Sequence, residues 1–267
     1  MRTLADIAAF LLDMDGTMYV DDRLQPRALD LLALLEQTGR SYIFLTNNSS
    51  ARASDYLAKL RRLGVEVAPG RVLTSGEATA SYLLRETPHR RVFLLGTPSL
   101  EAEFREAGLE LTDDDPECVV LGFDKTLTYA KLERACLLLA DGLPYVATHP
   151  DYTCITEAGL IPDTGAFIVG IEKVTGRLPK VIGKPEPEMV AAALERLGST
   201  AGQTAIVGDQ LDTDMTMAQR SGLLGVLVLS GETSRERLEG QEAVRPDLVL
   251  RDVEQLYELL RAGRSDS

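Results

Sequence analysis

Residues 9–19 read Ala9-Phe10-Leu11-Leu12-Asp13-Met14-Asp15-Gly16-Thr17-Met18-Tyr19, an apolar run that ends in two carboxylates one residue apart. On an extended chain, residues i and i+2 point to the same side. Asp13 and Asp15 therefore repel each other unless they cap a turn in water or share something positive. A calcium loop of the EF-hand type is a poor reading, because its sixth position needs glycine and its twelfth glutamate. Those positions hold Met18 and Leu24.

Outward from this stretch, short apolar runs alternate with helical patterns. Residues 7–12, 42–45, 204–207, 225–229 and 247–250 read as strands; 26–36, 54–63, 215–221 and 253–260 read as helices. Strands separated by helices indicate an α/β fold with a parallel sheet. The middle has its own alternation, with strands at 91–95, 118–122 and 145–147 and helices at 76–85, 101–106 and 129–139. Thr87-Pro88 reads as a hinge into this region, and three prolines between Pro179 and Pro187 mark the return. The expectation is a Rossmann-like core of residues 1–79 and 180–267 with an α/β domain of residues 80–179 inserted into it.

The 267-residue chain carries a formal net charge of -13, which argues against nucleic acid and gives no attraction to anionic lipid. Two histidines and three scattered cysteines without CxxC spacing make a zinc cluster a poor reading. Asp6 and Asp13 interrupt the N-terminal apolar stretch, so no signal peptide is read there, and no run is long enough for a membrane span. The expectation is a cytoplasmic, reduced protein.

Four polar clusters follow apolar strands: Asp13-Met14-Asp15-Gly16-Thr17, Thr46-Asn47-Asn48-Ser49, Gly183-Lys184-Pro185, and Gly208-Asp209-Gln210-Leu211-Asp212-Thr213-Asp214. Each alone is a common turn or helix cap. Together, at the carboxyl ends of parallel strands, they converge on one crevice and make a metal-assisted phosphate site. Asp13 and Asp209 suit a hard cation such as Mg²⁺, which draws phosphate toward a carboxylate that would otherwise repel it. Asp13 is then the candidate nucleophile. Asp15 is the candidate acid for the leaving oxygen and the base for the hydrolytic water. Thr46, the N–H groups that follow at Asn47 and Asn48, and Lys184 are candidates for the remaining phosphate oxygens.

In order, the four clusters resemble the motifs of the haloacid dehalogenase-like phosphatase superfamily. The insertion resembles the subgroup with a large α/β cap between the threonine and lysine motifs, as do Val120-Leu121-Gly122-Phe123-Asp124, Ala147-Thr148-His149-Pro150-Asp151 and Gly176-Arg177. That subgroup includes 4-nitrophenyl phosphatases, nucleotide monophosphatases, and phosphatases of pyridoxal phosphate and phosphoglycolate. The resemblance implies Asp13 as nucleophile and metal ligand and Asp15 as acid/base with its backbone carbonyl on Mg²⁺. It implies Thr46, Asn47 and Lys184 on phosphate, Asp209 on the metal, and Asp214 in its first or second shell. Asp212 is left as an acidic neighbour. The expected substrate is a small phosphate monoester, and a homodimer through the cap fits the subgroup. Residues 149–164 read as a shaped loop, with Tyr152, Cys154 and Glu157 as candidates for substrate choice. Alternative readings are a phosphate-transferring mutase, a receiver-like phosphoacceptor and a non-enzymatic phosphate-binding protein; the general acid at Asp15 and the large insertion weigh against them.

Overall fold

The computed structural model describes residues 3–156 and 158–263. The chain divides into two compact units, one of residues 1–46, 57–73 and 190–267, the other of residues 47–56 and 74–189.

The first unit is built on a six-stranded sheet. Its order is Leu248–Leu250, Leu224–Val228, Thr204–Gly208, Ala9–Asp13, Ser41–Thr46, Val72–Thr74. The first five strands pair in parallel. Ala9–Asp13, Thr204–Gly208 and Leu224–Val228 are buried at every position, as a sheet covered on both faces requires. That is why these strands are legible as unbroken apolar runs. Numbered along the chain, the order is 3-2-1-4-5-6, the doubly wound arrangement in which ligands bind beyond the carboxyl ends where the order reverses. The reversal lies between Ala9–Asp13 and Thr204–Gly208, whose register pairs Leu12 with Val207. Asp13 ends one strand and Asp209 follows the other.

The second unit repeats the principle with a different winding. Its five-stranded parallel sheet runs Lys180–Val181, Tyr145–Ala147, Cys118–Leu121, Arg91–Leu95, Glu110–Leu111. In chain order this is 2-1-3-4-5, the other common doubly wound order. Phe93, Leu95, Val119 and Leu121 pack against Leu138 and Leu139 of the helix Tyr129–Ala140 and Ile171 of the helix Thr164–Thr175. Local chemistry starts the helices Ser75–Glu86, Pro98–Glu106, Tyr129–Ala140 and Thr164–Thr175: Thr74, Thr97, Thr128 and Asp163 occupy their N-cap positions and accept backbone N–H hydrogen bonds.

The segment read as a shaped loop is different in the structure. Thr153–Thr156 and Gly159–Pro162 form an antiparallel hairpin, with Ile155 opposite Leu160. Ile155 is 71% and Leu160 69% exposed. With no face buried in the core, the hairpin lacks the apolar alternation by which a strand is recognised. Among the described residues no helix is long and apolar enough to cross a membrane.

Candidate active site

In the first unit, Asp13, Asp209 and Asp214 are all buried and each places one carboxylate oxygen within 4.8 Å of the others. Asp209 is held by its surroundings. Its Oδ2 accepts the Glu232 N–H at 2.6 Å, its Oδ1 the Thr17 hydroxyl at 3.4 Å, and its backbone oxygen the Thr233 N–H at 3.2 Å. Asp214 accepts the Gln210 N–H at 3.2 Å. It sits on a five-residue π-helix, Leu211–Met215, a widened turn that is frequent at functional sites. Glycine is required where the chain passes these acids. Gly16 has φ +83°, and a side chain on it would run into the Asp209 carboxylate. A side chain on Gly208 would run into that of Asp214. Three carboxylates brought this close repel one another unless a cation lies between them. An all-oxygen set of this kind suits a hard divalent cation.

Asp212, two residues before Asp214, points elsewhere. Its side chain is 78% exposed and pairs with Arg237 at 2.6 Å.

Asp15 stands apart from the buried trio. The Met14–Tyr19 turn, closed by the Gly16 N–H on Tyr19 O at 2.9 Å and the Tyr19 N–H on Met14 O at 3.3 Å, returns Tyr19 to its side. The Tyr19 hydroxyl donates to Asp15 Oδ2 at 3.2 Å, and Lys59 Nζ donates to Oδ1 at 3.4 Å. Lys59 Nζ also lies 4.1 Å from the centroid of the Tyr19 ring. Neither Tyr19 nor Lys59 stands out in the sequence as a site residue. Lys59 is one of three basic residues in the last turn of its helix, and only the fold distinguishes it.

Thr46 is the buried last residue of the strand Ser41–Thr46 in the first unit. In the second unit the Asn47 carboxamide brackets the backbone of Lys184, accepting its N–H at 2.8 Å and donating to its carbonyl at 2.9 Å. The same amide donates to Asp151 Oδ2 at 3.1 Å. The Asn47 side chain therefore shapes the Lys184 loop. Lys184 is buried. Asn48 turns its carboxamide oxygen back onto the Ser50 N–H and hydroxyl at 2.9 and 2.7 Å.

Behind this loop lies a polar knot that the motif reading left without a role. His149 is fully buried, with Nε2 2.9 Å from Asp163 Oδ1 and Nδ1 2.9 Å from Thr148 Oγ1. Thr148 in turn meets Ser49 Oγ at 2.9 Å. Burial opposes the charged imidazolium, but the hydrogen bond and charge of Asp163, with the charge of Asp151, outweigh it and raise the His149 pKa. Burial likewise raises Asp151, against the lowering effect of His149, Asn47 and Lys184. The signal was the pairing of one of only two histidines in the chain with the Thr-His-Pro-Asp motif.

Of the cap candidates, Tyr152 is 65% exposed just before the hairpin and Cys154 lies on its first strand, partly exposed. Glu157 lies outside the described residues.

Two family models match the chain: one described as haloacid dehalogenase-like hydrolase over residues 10–110, the other as HAD-hydrolase-like over residues 181–256. An acid sugar phosphatase of Staphylococcus aureus is 34% identical over 246 residues, 92% of this chain and 95% of that protein. The chain belongs to the haloacid dehalogenase-like hydrolase family. It is a phosphatase of that family with an inserted α/β cap. Among solved structures, a 4-nitrophenylphosphatase of Thermotoga maritima superimposes with a TM-score of 0.92 at 45% identity, covering 95% of this chain and 97% of its own. A glycerol phosphate phosphatase of Mycobacterium tuberculosis in complex with magnesium gives 0.87 at 32% identity, over 96% of this chain and 78% of its own.

Proposed function

We propose that this phosphatase is a Mg²⁺-dependent phosphomonoesterase that works through an aspartyl-phosphate on Asp13 and acts on a small sugar or polyol phosphate. The observation that carries the reading is the buried trio Asp13, Asp209 and Asp214 at the sheet's reversal point, with Asp15 two residues from the nucleophile. The sugar or polyol part is supported by the substrates that name two of its relatives.

Asp13, Asp209 and Asp214 would hold Mg²⁺, with the Asp15 backbone carbonyl, and the ion would supply charge neutralisation between nucleophile and phosphate. The Asp13 carboxylate attacks phosphorus while the bond to the leaving oxygen breaks and Asp15 gives that oxygen a proton. Asp15 then takes a proton from the water that attacks phosphorus, releasing inorganic phosphate and free Asp13. Thr46, the N–H groups at Asn47 and Asn48, and Lys184 hold the remaining oxygens; the side chain of Asn47 serves by fixing the Lys184 backbone. Residues 80–179 act as a cap on a core of 1–79 and 180–267, and Tyr152, Cys154 and Glu157 meet the part of the substrate beyond phosphate. The enzyme is cytoplasmic, and a homodimer joined through the cap completes the reading, with sedimentation equilibrium as its test.

The deciding experiment is release of inorganic phosphate from 4-nitrophenyl phosphate with Mg²⁺, its arrest by EDTA, and a panel of phosphate esters ranked by kcat/KM. Steady release, highest for sugar or polyol phosphates, is expected. A single turnover that leaves phosphate on the protein would make it a phosphoacceptor instead.

A further inference from the structure

An acid/base must be aimed as well as placed, and nothing in the trio aims Asp15. Its side chain is 60% exposed, so packing does not choose its rotamer. Two donors do. Tyr19 reaches Oδ2 and Lys59 reaches Oδ1, one group on each carboxylate oxygen. Both are themselves anchored. Tyr19 is fully buried and starts a short hairpin in which it faces Leu24. Lys59, with its side chain only 25% exposed, comes from the helix Ala53–Arg62 and rests its ammonium on the Tyr19 ring. The ring thus carries the cation as well as the hydroxyl, and the three groups form a closed triangle. An isolated exposed ion pair contributes little to stability, so the value of this one lies in orientation.

We propose that Lys59 and Tyr19 are positioning residues that clamp the Asp15 carboxyl in the direction of the leaving oxygen. The inference rests on the reading of Asp15 as the acid/base. Small errors in such aim are costly, because proton transfer needs hydrogen-bond reach in a defined direction.

The test compares Lys59→Met and Tyr19→Phe on glycerol phosphate, whose leaving alkoxide needs the proton, and on 4-nitrophenyl phosphate, whose leaving group needs it less. Lys59→Met is expected to lower kcat/KM on glycerol phosphate on the order of tenfold, with a smaller loss on the nitrophenyl ester. Tyr19→Phe, which loses one hydrogen bond from an uncharged donor, is expected to cost about fivefold. In an Asp15→Asn background neither substitution should lower the rate further, since the clamp then has no carboxyl to aim. Lys59→Arg should recover part of the loss. Equal losses on both esters, or losses that persist in full in the Asp15→Asn background, would overturn the clamp while leaving Asp15 in its role. An Asp15→Asn enzyme with undiminished rates on both esters would remove the reading of Asp15, and the clamp with it.

Discussion

The trio in the first unit and the His149 knot in the second are both buried and polar, yet they treat charge in opposite ways. In the trio, three like charges converge, and Asp209 and Asp214 take hydrogen bonds from neutral groups: Glu232 N–H, Thr17 hydroxyl and Gln210 N–H. In the knot, His149 lies against Asp163, and the charges of Asp151 and Lys184 act on it with opposite signs. The trio gathers charge of one sign, whereas the knot holds both signs within its own unit. That contrast makes separate demands on variants.

The largest effect falls on the trio. Asp13→Asn should reduce turnover to background while the protein keeps its fold, because an amide lacks the charge for attack and binds a cation less well. Steady-state phosphate release and circular dichroism check the two halves of that statement. Next is Asp209→Ala, which should raise the Mg²⁺ concentration needed for activity or eliminate it. Mg²⁺ should raise the melting temperature of the wild type and fail to raise that of Asp209→Ala, since an ion that binds only the folded state stabilises it by mass action.

His149→Ala tests the other cluster. Removing one partner of a buried charged pair leaves the Asp163 carboxylate uncompensated, at a cost of about 3–5 kcal/mol. Urea unfolding below neutral pH should show this loss, and Mg²⁺ should not restore it. The sign of the pH dependence follows from the raised His149 pKa. Its contribution is full below the unfolded value of 6.5 and fades as pH climbs through the higher folded value.

A smaller effect sits where the helix Pro98–Glu106 meets the start of Ser75–Glu86. Burial pushes the Glu103 carboxyl up to about 7, against hydrogen bonds from Ala53 N–H and the Thr74 hydroxyl. A carboxyl raised above its unfolded value of 4.5 favours the fold below that value, and the advantage disappears as pH rises through about 7. At this shift the difference is on the order of 3 kcal/mol. Glu103→Gln should flatten stability between pH 5 and 8 when unfolding is followed at both. The smallest change is expected from the cap candidates: substitutions at Tyr152, Cys154 or Glu157 should reorder substrates by kcat/KM while leaving turnover of 4-nitrophenyl phosphate nearly constant. One common factor across all substrates would move the search for the selector elsewhere in the cap.

The sequence reveals the parts of this molecule whose physics is local. Leu11-Leu12 and Ile206-Val207 sit on strands buried on both faces, so they stand out as apolar runs, and the acids that follow them are easy to find. The strands Val72–Thr74 and Glu110–Leu111 are too short to show a period. The helix Pro187–Leu197 begins at a proline that reads equally well as part of a linker. In the site, the acids are legible because their types and spacing carry chemistry. The Asp15 clamp is not, because Lys59 reaches Asp15 from 44 residues away along the chain. Asn47 shows a subtler limit: nothing in its residue type reveals that its side chain organises the Lys184 backbone.

The reversal of strand order also has a meaning in time. Ala9–Asp13 and Thr204–Gly208 are neighbours in space but lie at opposite ends of the chain. At a synthesis rate of about 5–20 residues per second, roughly ten to forty seconds separate the emergence of Asp13 from that of its partner strand. For most of that interval Ala9–Asp13 has Ser41–Thr46 to pair with, and all five strands of the second sheet, within residues 91–181, are made before Thr204 appears. A nascent chain can thus complete the sheet of the second unit while the acids remain scattered. The three carboxylates can meet only after residues 209 and 214 are made.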